Sequence, residues 1–235
     1  MRRFYEIAEA VDEADGWAIR LDGRPVKTPA RIPLAVPGEA LAQAIVAEWQ
    51  SQGETIDPAS MPMTGFANAT IDRVLPALAD FRVQIAAYGA SDLLCYRAAE
   101  PPELVALQAA SWDGLLDWAR GRFDVSFAVT SGIMPVDQPT ATLTRLAAIV
   151  EALDPWLLAG AATLTQIGGT LVGTLAHLEG EIEAEALFDA TTLEDRWQAE
   201  QWGEDAEAAA HVAARRADFL AAARYCTLAA QRRSR

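Results

Sequence analysis

The reading of this chain turns on Ser91–Trp118, SDLLCYRAAEPPELVALQAASWDGLLDW. Its apolar run, Leu93-Leu94-Cys95-Tyr96, has the length and composition of a buried strand and predicts one over 93–98. Pro101 and Pro102 end the run. A proline fits the first turn of a following helix, because the N–H it lacks would have no intrahelical partner there. On a helical wheel Leu104, Leu107, Trp112, Leu115, Leu116 and Trp118 share about half the circumference, and Glu103, Asp113, Asp117 and Arg120 take the other side. The pattern is that of a helix made to pack, and the stretch contains no recognisable catalytic or cofactor chemistry.

Upstream of this stretch the chain reads as β. Strands are predicted over 4–11, 17–21, 26–28 and 32–36, with a turn at Asp15-Gly16 and a hairpin signal at Asp22-Gly23. Pro37-Gly38 opens a helix whose apolar stripe, Leu41, Ile45 and Trp49, recurs every fourth residue. Two further helices are expected over 64–74 and 75–88, stopped by Gly89. Residues 125–129 form another strand-like run, closed by Ser131-Gly132. After Pro139 the strand signals disappear, and helices are predicted over 140–153, 156–178, 180–190 and 193–230, the last bending at Gly203. The fold class is therefore α+β: an antiparallel β-rich N-terminal part with packed helices over 1–134, followed by an all-helical C-terminal domain over 135–235.

Composition narrows the function. With 235 residues, 51% of them hydrophobic, the chain is long enough for a substantial core. Its formal charge of −14 excludes nucleic acid as a partner, since phosphate neutralisation needs clustered Lys and Arg. It argues equally against an anionic membrane surface, while an acidic exterior can steer a basic patch on a protein partner. The near-uncharged segment 156–178 has the length of a membrane span. Its threonines and glycines, with Glu179, Glu181 and Glu183 at the exit, point instead to a buried helix and no stable membrane insertion. Cys95 and Cys226 form no paired motif and read as structural thiols in a reducing compartment. His177 and His211 share no zinc-ligand spacing, and no phosphate loop, nucleophile elbow or dinucleotide fingerprint occurs. No catalytic residue, metal or cofactor is expected. The N-terminus carries neither an apolar signal core nor an acid-poor transit segment, so a bacterial cytoplasmic protein is the expectation, the alternative being a chain already trimmed of its transit segment.

Four passages in order resemble one family. They are the Ser91–Trp118 stretch; Gly16–Pro29; Glu48-Trp49 with Thr55-Ile56-Asp57-Pro58, Met63-Thr64, Asn68-Ala69-Thr70 and Ile71-Asp72; and Leu193-Glu194-Asp195, Trp197-Gln198 and Gln201-Trp202-Gly203. Together they are similar to the assembly chaperones that attend the α subunit of the F-type ATP synthase catalytic head. The resemblance implies a non-enzyme that binds the unassembled α subunit and prevents its aggregation until the β subunit replaces it. An alternative reading is a helical scaffold or adaptor for another complex, and an unrecognised hydrolase comes third. The chain has apolar residues enough for its own core and no heptad seam, so a monomer is expected.

The candidate surface lies near the C-terminus. Trp197 and Trp202 are five residues apart, about 140° around a helix, so both cannot sit centrally on one narrow stripe. Tryptophan is enriched among interface hot spots, which makes the Trp202 region the preferred binding surface. The resemblance places a functionally important acid just after this Trp-Gly pair. Glu204, Asp205 and Glu207 are the acids there, interrupted by Ala206. Glu194 and Asp195, at a helix start that favours negative charge, complete the expected client-binding set. Trp49, Asp92, Leu93, Trp112 and Gly203 are expected to hold or shape the fold. Asp92 reads either as a turn acceptor or as an anchor of the client surface.

Overall fold

The hub of the N-terminal sheet is β2 (Gly16–Leu21), whose Ala18, Ile19 and Leu21 are buried. β1 (Ala8–Glu13) pairs with its full length antiparallel, from Ala8 opposite Leu21 to Glu13 opposite Gly16. β3 (Arg24–Pro25) pairs with Arg20 and Leu21, and β4 (Ala35–Val36) with Trp17 and Ala18, both antiparallel. The structure, a computed structural model, describes residues 1–132, 134–203 and 205–231. It divides into two compact units: Met1–Leu78 with Asp154–Gly160 and Ala221–Arg235, and Ala79–Leu153 with Ala161–Leu220. The compact units are discontinuous in the chain, each taking in residues from both sides of the 134/135 division read from sequence.

In the first unit, the strand expected from Phe4 begins instead at Ala8. Upstream of it the backbone is held by side chains: the Asp22 carboxylate accepts from the N–H groups of Glu6 and Ile7, and Arg3 donates to the carbonyls of Tyr5 and Glu6. α1 (Glu39–Gln50) packs on β1 and β2 with Leu41 and Ile45 fully buried. Trp49, the third residue of the stripe, is only half-buried. It meets Tyr5 edge-on at 5.6 Å, and the Tyr5 hydroxyl donates to the Trp49 carbonyl at 2.6 Å. α2 (Pro62–Ala69) has no cap of its own at Met61. Glu48 supplies it, accepting from Met63 N–H at 2.6 Å and from Thr64 N–H at 2.8 Å, so a carboxylate satisfies two orphan donors at a helix start.

The helical path then loosens into one π turn over Thr70–Val74 and one 3-10 turn over Leu75–Ala77 before α3 (Leu78–Ala87). Pro76 accounts for this, since it has no N–H to return to the carbonyl four residues back. Elsewhere in the same unit, the first turn of α6 (Leu158–Gly168) meets the last turns of α10 (Ala206–Ala230) at Gly160, the remainder of both helices belonging to the second unit. A Cβ there would lie 2.4 Å from the Cys226 sulfur and 2.9 Å from the Ala222 carbonyl, so only glycine permits the approach. Beside this contact, the buried Tyr225 hydroxyl lies 2.8 Å from that of Thr70, and its ring stacks on Phe66. Burial pushes the Cys226 thiol up to about 12, an inert structural thiol.

The second unit is built on α4 (Pro102–Phe123), α5 (Thr140–Ala152), α7 (Leu171–Leu178), α8 (Ala184–Thr191) and α9 (Leu193–Trp202). The double proline opens α4 as expected. Leu104, Trp112, Leu115 and Leu116 are buried, Trp118 is half-buried, and Leu107 is exposed. The buried row that contains Leu104 and Leu115 also takes in Gln108, which is fully buried. Trp112 donates its indole N–H to the Ala190 carbonyl at 2.8 Å, the partner a buried tryptophan requires.

Three strand or helix expectations need correction here. Residues 93–98 form a 3-10 turn over Leu93–Cys95 and only then a two-residue strand, β5 (Tyr96–Arg97), parallel to β6 (Thr130–Ser131). Asp92 causes the turn: its carboxylate accepts from Leu94 N–H and its carbonyl from Cys95 N–H, which coils the backbone. Residues 125–129, read as a strand-like run, form no strand and take side chains as partners. The Gln138 amide exchanges two bonds with the Ala128 backbone, and the Thr142 hydroxyl two with Ser126. The helix expected over 156–178 is broken at Gly169 (φ +67°) into α6 and α7. Among the described residues no single helix is long and apolar enough to cross a membrane.

Candidate functional site

Gly203 creates the site. Its φ of +92° is a conformation side-chain-bearing residues rarely adopt, and its N–H still closes the last turn of α9 on the Ala199 carbonyl. The chain leaves α9 there, and α10 restarts at Ala206. Asp205 caps the new helix, its carboxylate accepting from Glu207 N–H at 3.2 Å and its carbonyl from Ala209 N–H at 2.9 Å. The break lets the two helices of one corner face each other across a groove of about 540 Å³. Ala199, Ala208, Ala209 and Val212 supply apolar lining, with Asp195, Arg196, Trp202, Asp205 and His211 also on the groove.

Trp202 is 74% exposed, the largest side chain so presented among the described residues. Trp197 is half-buried and meets it edge to face at 5.7 Å and 88°. The two indoles therefore meet despite their angular separation. The inner one anchors the outer, and the outer faces solvent as the wheel argument expects.

The sequence-selected residues do not all fall together. Trp202, Gly203, Asp195 and Asp205 share the groove. Glu207 is exposed in the first turn of α10, and Glu204 lies outside the described residues. Glu194 turns the other way: it accepts from the amide of buried Gln108, whose own oxygen accepts from Ala98 N–H at 2.8 Å. Its surroundings are those of a residue that ties α9 to α4. Asp195 stays exposed, in a loose pair with Arg215 at 3.8 Å.

Asp92 and Leu93 sit apart from the groove, at the start of α7. Asp92 is fully buried. Its carboxylate accepts from Val172 N–H at 2.9 Å and from Leu94 N–H at 3.1 Å, while Leu93 N–H donates to the Gly169 carbonyl. Burial raises its pKa, opposed by Val172 N–H, the Thr170 hydroxyl and the N–H groups of Leu94 and Leu171. Burial first, then the Asp92 charge, pushes the neighbouring Cys95 thiol up to about 12. Trp112 is a core residue and Trp49 a partly exposed one of the other unit. Sequence reasoning missed Gln108, Gln138 and Glu48. The signal available for Gln108 was its place on the apolar arc of α4, between Leu104 and Trp112.

No group of three or more His, Cys, Asp or Glu among the described residues is arranged to hold a metal. What the corner offers chemically is an exposed indole, carboxylates and an apolar floor, the equipment of a binding surface.

Comparison with known proteins identifies the family. The sequence profile of the family described as ATP12 chaperone protein matches residues 2–120. Among solved structures, Atp12 from Paracoccus denitrificans is 40% identical, covering 97% of this chain and 98% of that one, with a TM-score of 0.94. An aspartate-to-lysine mutant of the same organism's Atp12p matches at 40% identity over 97% of each chain, also with a TM-score of 0.94. A protein of proposed chaperone role from Agrobacterium tumefaciens is 37% identical, over 96% of this chain and 85% of that one, with a TM-score of 0.92.

Proposed function

The chain belongs to the ATP12 chaperone family, and from that premise we propose that it is an assembly chaperone of the F-type ATP synthase, with the unassembled α subunit as client. The observation that carries the reading is the match to Atp12 of Paracoccus denitrificans over 97% of the chain at 40% identity. An orphan subunit of a ring exposes a large interface, and such surfaces aggregate unless covered. A chaperone that covers this surface reversibly needs no catalytic group. Release follows when a partner subunit with a better-fitting surface competes for the same face, by mass action.

In this proposal the client-facing residues are Trp202, Asp195, Asp205 and Glu207, while Asp92, Leu93, Trp112 and Trp49 maintain the fold. Glu194 remains in the candidate set as the residue that positions α9 through Gln108. The protein acts as a cytoplasmic monomer in a bacterium and binds one client. The test is co-purification with isolated α subunit, together with suppression of α aggregation. Binding to α, and none to unrelated aggregating proteins, is the expected result. Equal suppression of unrelated clients would favour a general scaffold, and no binding would refute the reading.

A further inference from the structure

Resting on the client reading above, we propose that the groove between α9 and α10 takes an arginine side chain of the client, its guanidinium lying on the Trp202 indole between the carboxylates of Asp195 and Asp205. Three observations lead here. Trp202 is 74% exposed and meets Trp197 edge to face at 5.7 Å, so most of its aromatic surface is presented to solvent. Asp195 and Asp205 line the same groove. The cations nearby are already engaged: Arg196 lies 3.6 Å from Asp189, and Arg215 donates to the Ile167 carbonyl at 3.1 Å, only 3.8 Å from Asp195.

The chain itself shows the complete arrangement once. Arg97 lies over the Trp112 ring at 5.2 Å to the centroid and pairs with Asp113 at 2.9 Å. The groove holds the tryptophan and the carboxylates of that triad, and among the described residues no arginine lies over the Trp202 ring. Arginine suits the place better than lysine. A planar guanidinium stacks on indole and bonds carboxylates in its own plane at once, whereas an ammonium is a compact, strongly hydrated charge. The net charge of −14 attracts any basic segment, so the indole must supply the choice between the two cations.

The experiment uses the full chain and four synthetic peptides, acetyl-Leu-X-Leu-amide with X arginine, lysine, citrulline or norleucine. Binding is read from the indole N–H resonances of Trp202 and of Trp197, which lies 5.7 Å from it and remains in every variant. Saturable shifts are expected with arginine, about two- to fivefold weaker binding with lysine, and weaker still with neutral citrulline and norleucine. Trp202→Leu, which keeps an apolar contact and removes the ring face, should bring arginine down to the lysine level. Asp195→Asn should weaken both cations together. Equal binding of all four peptides would mean a merely apolar groove, equal binding of arginine and lysine a simple charge site, and no saturable shift no site; each overturns the proposal. None of these measurements uses the α subunit, so suppression of α aggregation by the unmutated protein decides the client reading separately.

Discussion

Replacing Asp92 by alanine probes the joint on which the second unit is organised. The carboxylate is fully buried and accepts from two backbone N–H groups, Val172 at 2.9 Å and Leu94 at 3.1 Å. Alanine leaves both donors unsatisfied, and an orphaned buried donor costs about 1–3 kcal/mol. The gross loss is therefore about 2–6 kcal/mol. Part is recovered because a carboxylate whose burial is unfavourable is removed along with its bonds. A net loss of about 2–4 kcal/mol is expected, which for a chain of this size lowers Tm by about 4–16 °C. Asp92→Asn keeps the shape and one acceptor, so it should lie between alanine and wild type. Thermal melts followed by circular dichroism give the ranking, and hydrogen exchange at Val172 and Leu94 gives its location. A Tm for Asp92→Ala within 1 °C of wild type would refute the reasoning. Loss of client binding at unchanged Tm would instead place Asp92 on the client surface.

Three further outcomes are expected. The folded pKa of Asp92 is raised above its unfolded value of 3.8, so the folded state holds the proton more tightly. Its contribution is then fully present below 3.8 and is lost as pH rises through the raised value; the stability of wild type relative to Asp92→Asn should fall over that window, as urea titrations at a series of pH values would show. Gly160→Ala should destabilise by about 1–3 kcal/mol through its clash with Cys226 and the Ala222 carbonyl, and Cys226→Ala should relieve only part of that, measured as a double-mutant cycle in urea. Asp205→Lys should cost about 0.5–2 kcal/mol because Asp205 caps α10, whereas Glu207→Lys, with no capping bond of its own, should stay within about 0.5 kcal/mol in the same assay.

The features legible in the sequence were those whose cause is local. Asp22-Gly23 marked its hairpin, Leu41 and Ile45 the buried face of α1, the double proline the start of α4, and Gly203 the break that makes the groove. An exposed tryptophan near that break followed from angular spacing alone. What escaped was set by partners distant in sequence. Leu93-Leu94-Cys95 has strand composition, but the Asp92 carboxylate coils it while capping a helix 80 residues later. Glu48 looks like an ordinary surface acid until α2 arrives with two unpaired N–H groups. Glu194 reads as an exposed acid at a helix start, yet buried Gln108 donates to it from 86 residues away. A wheel ranks residues by polarity, and a buried glutamine defeats it for that reason.

The most direct measurement of the central claim is light scattering from purified α subunit, diluted from denaturant with and without an equimolar amount of this protein. The account predicts that scattering is suppressed and that a one-to-one complex elutes on size exclusion. It also predicts that Trp202→Lys, at a 74% exposed position, loses both effects without a change in Tm. Unabated aggregation of α in the presence of the folded wild-type protein would contradict it.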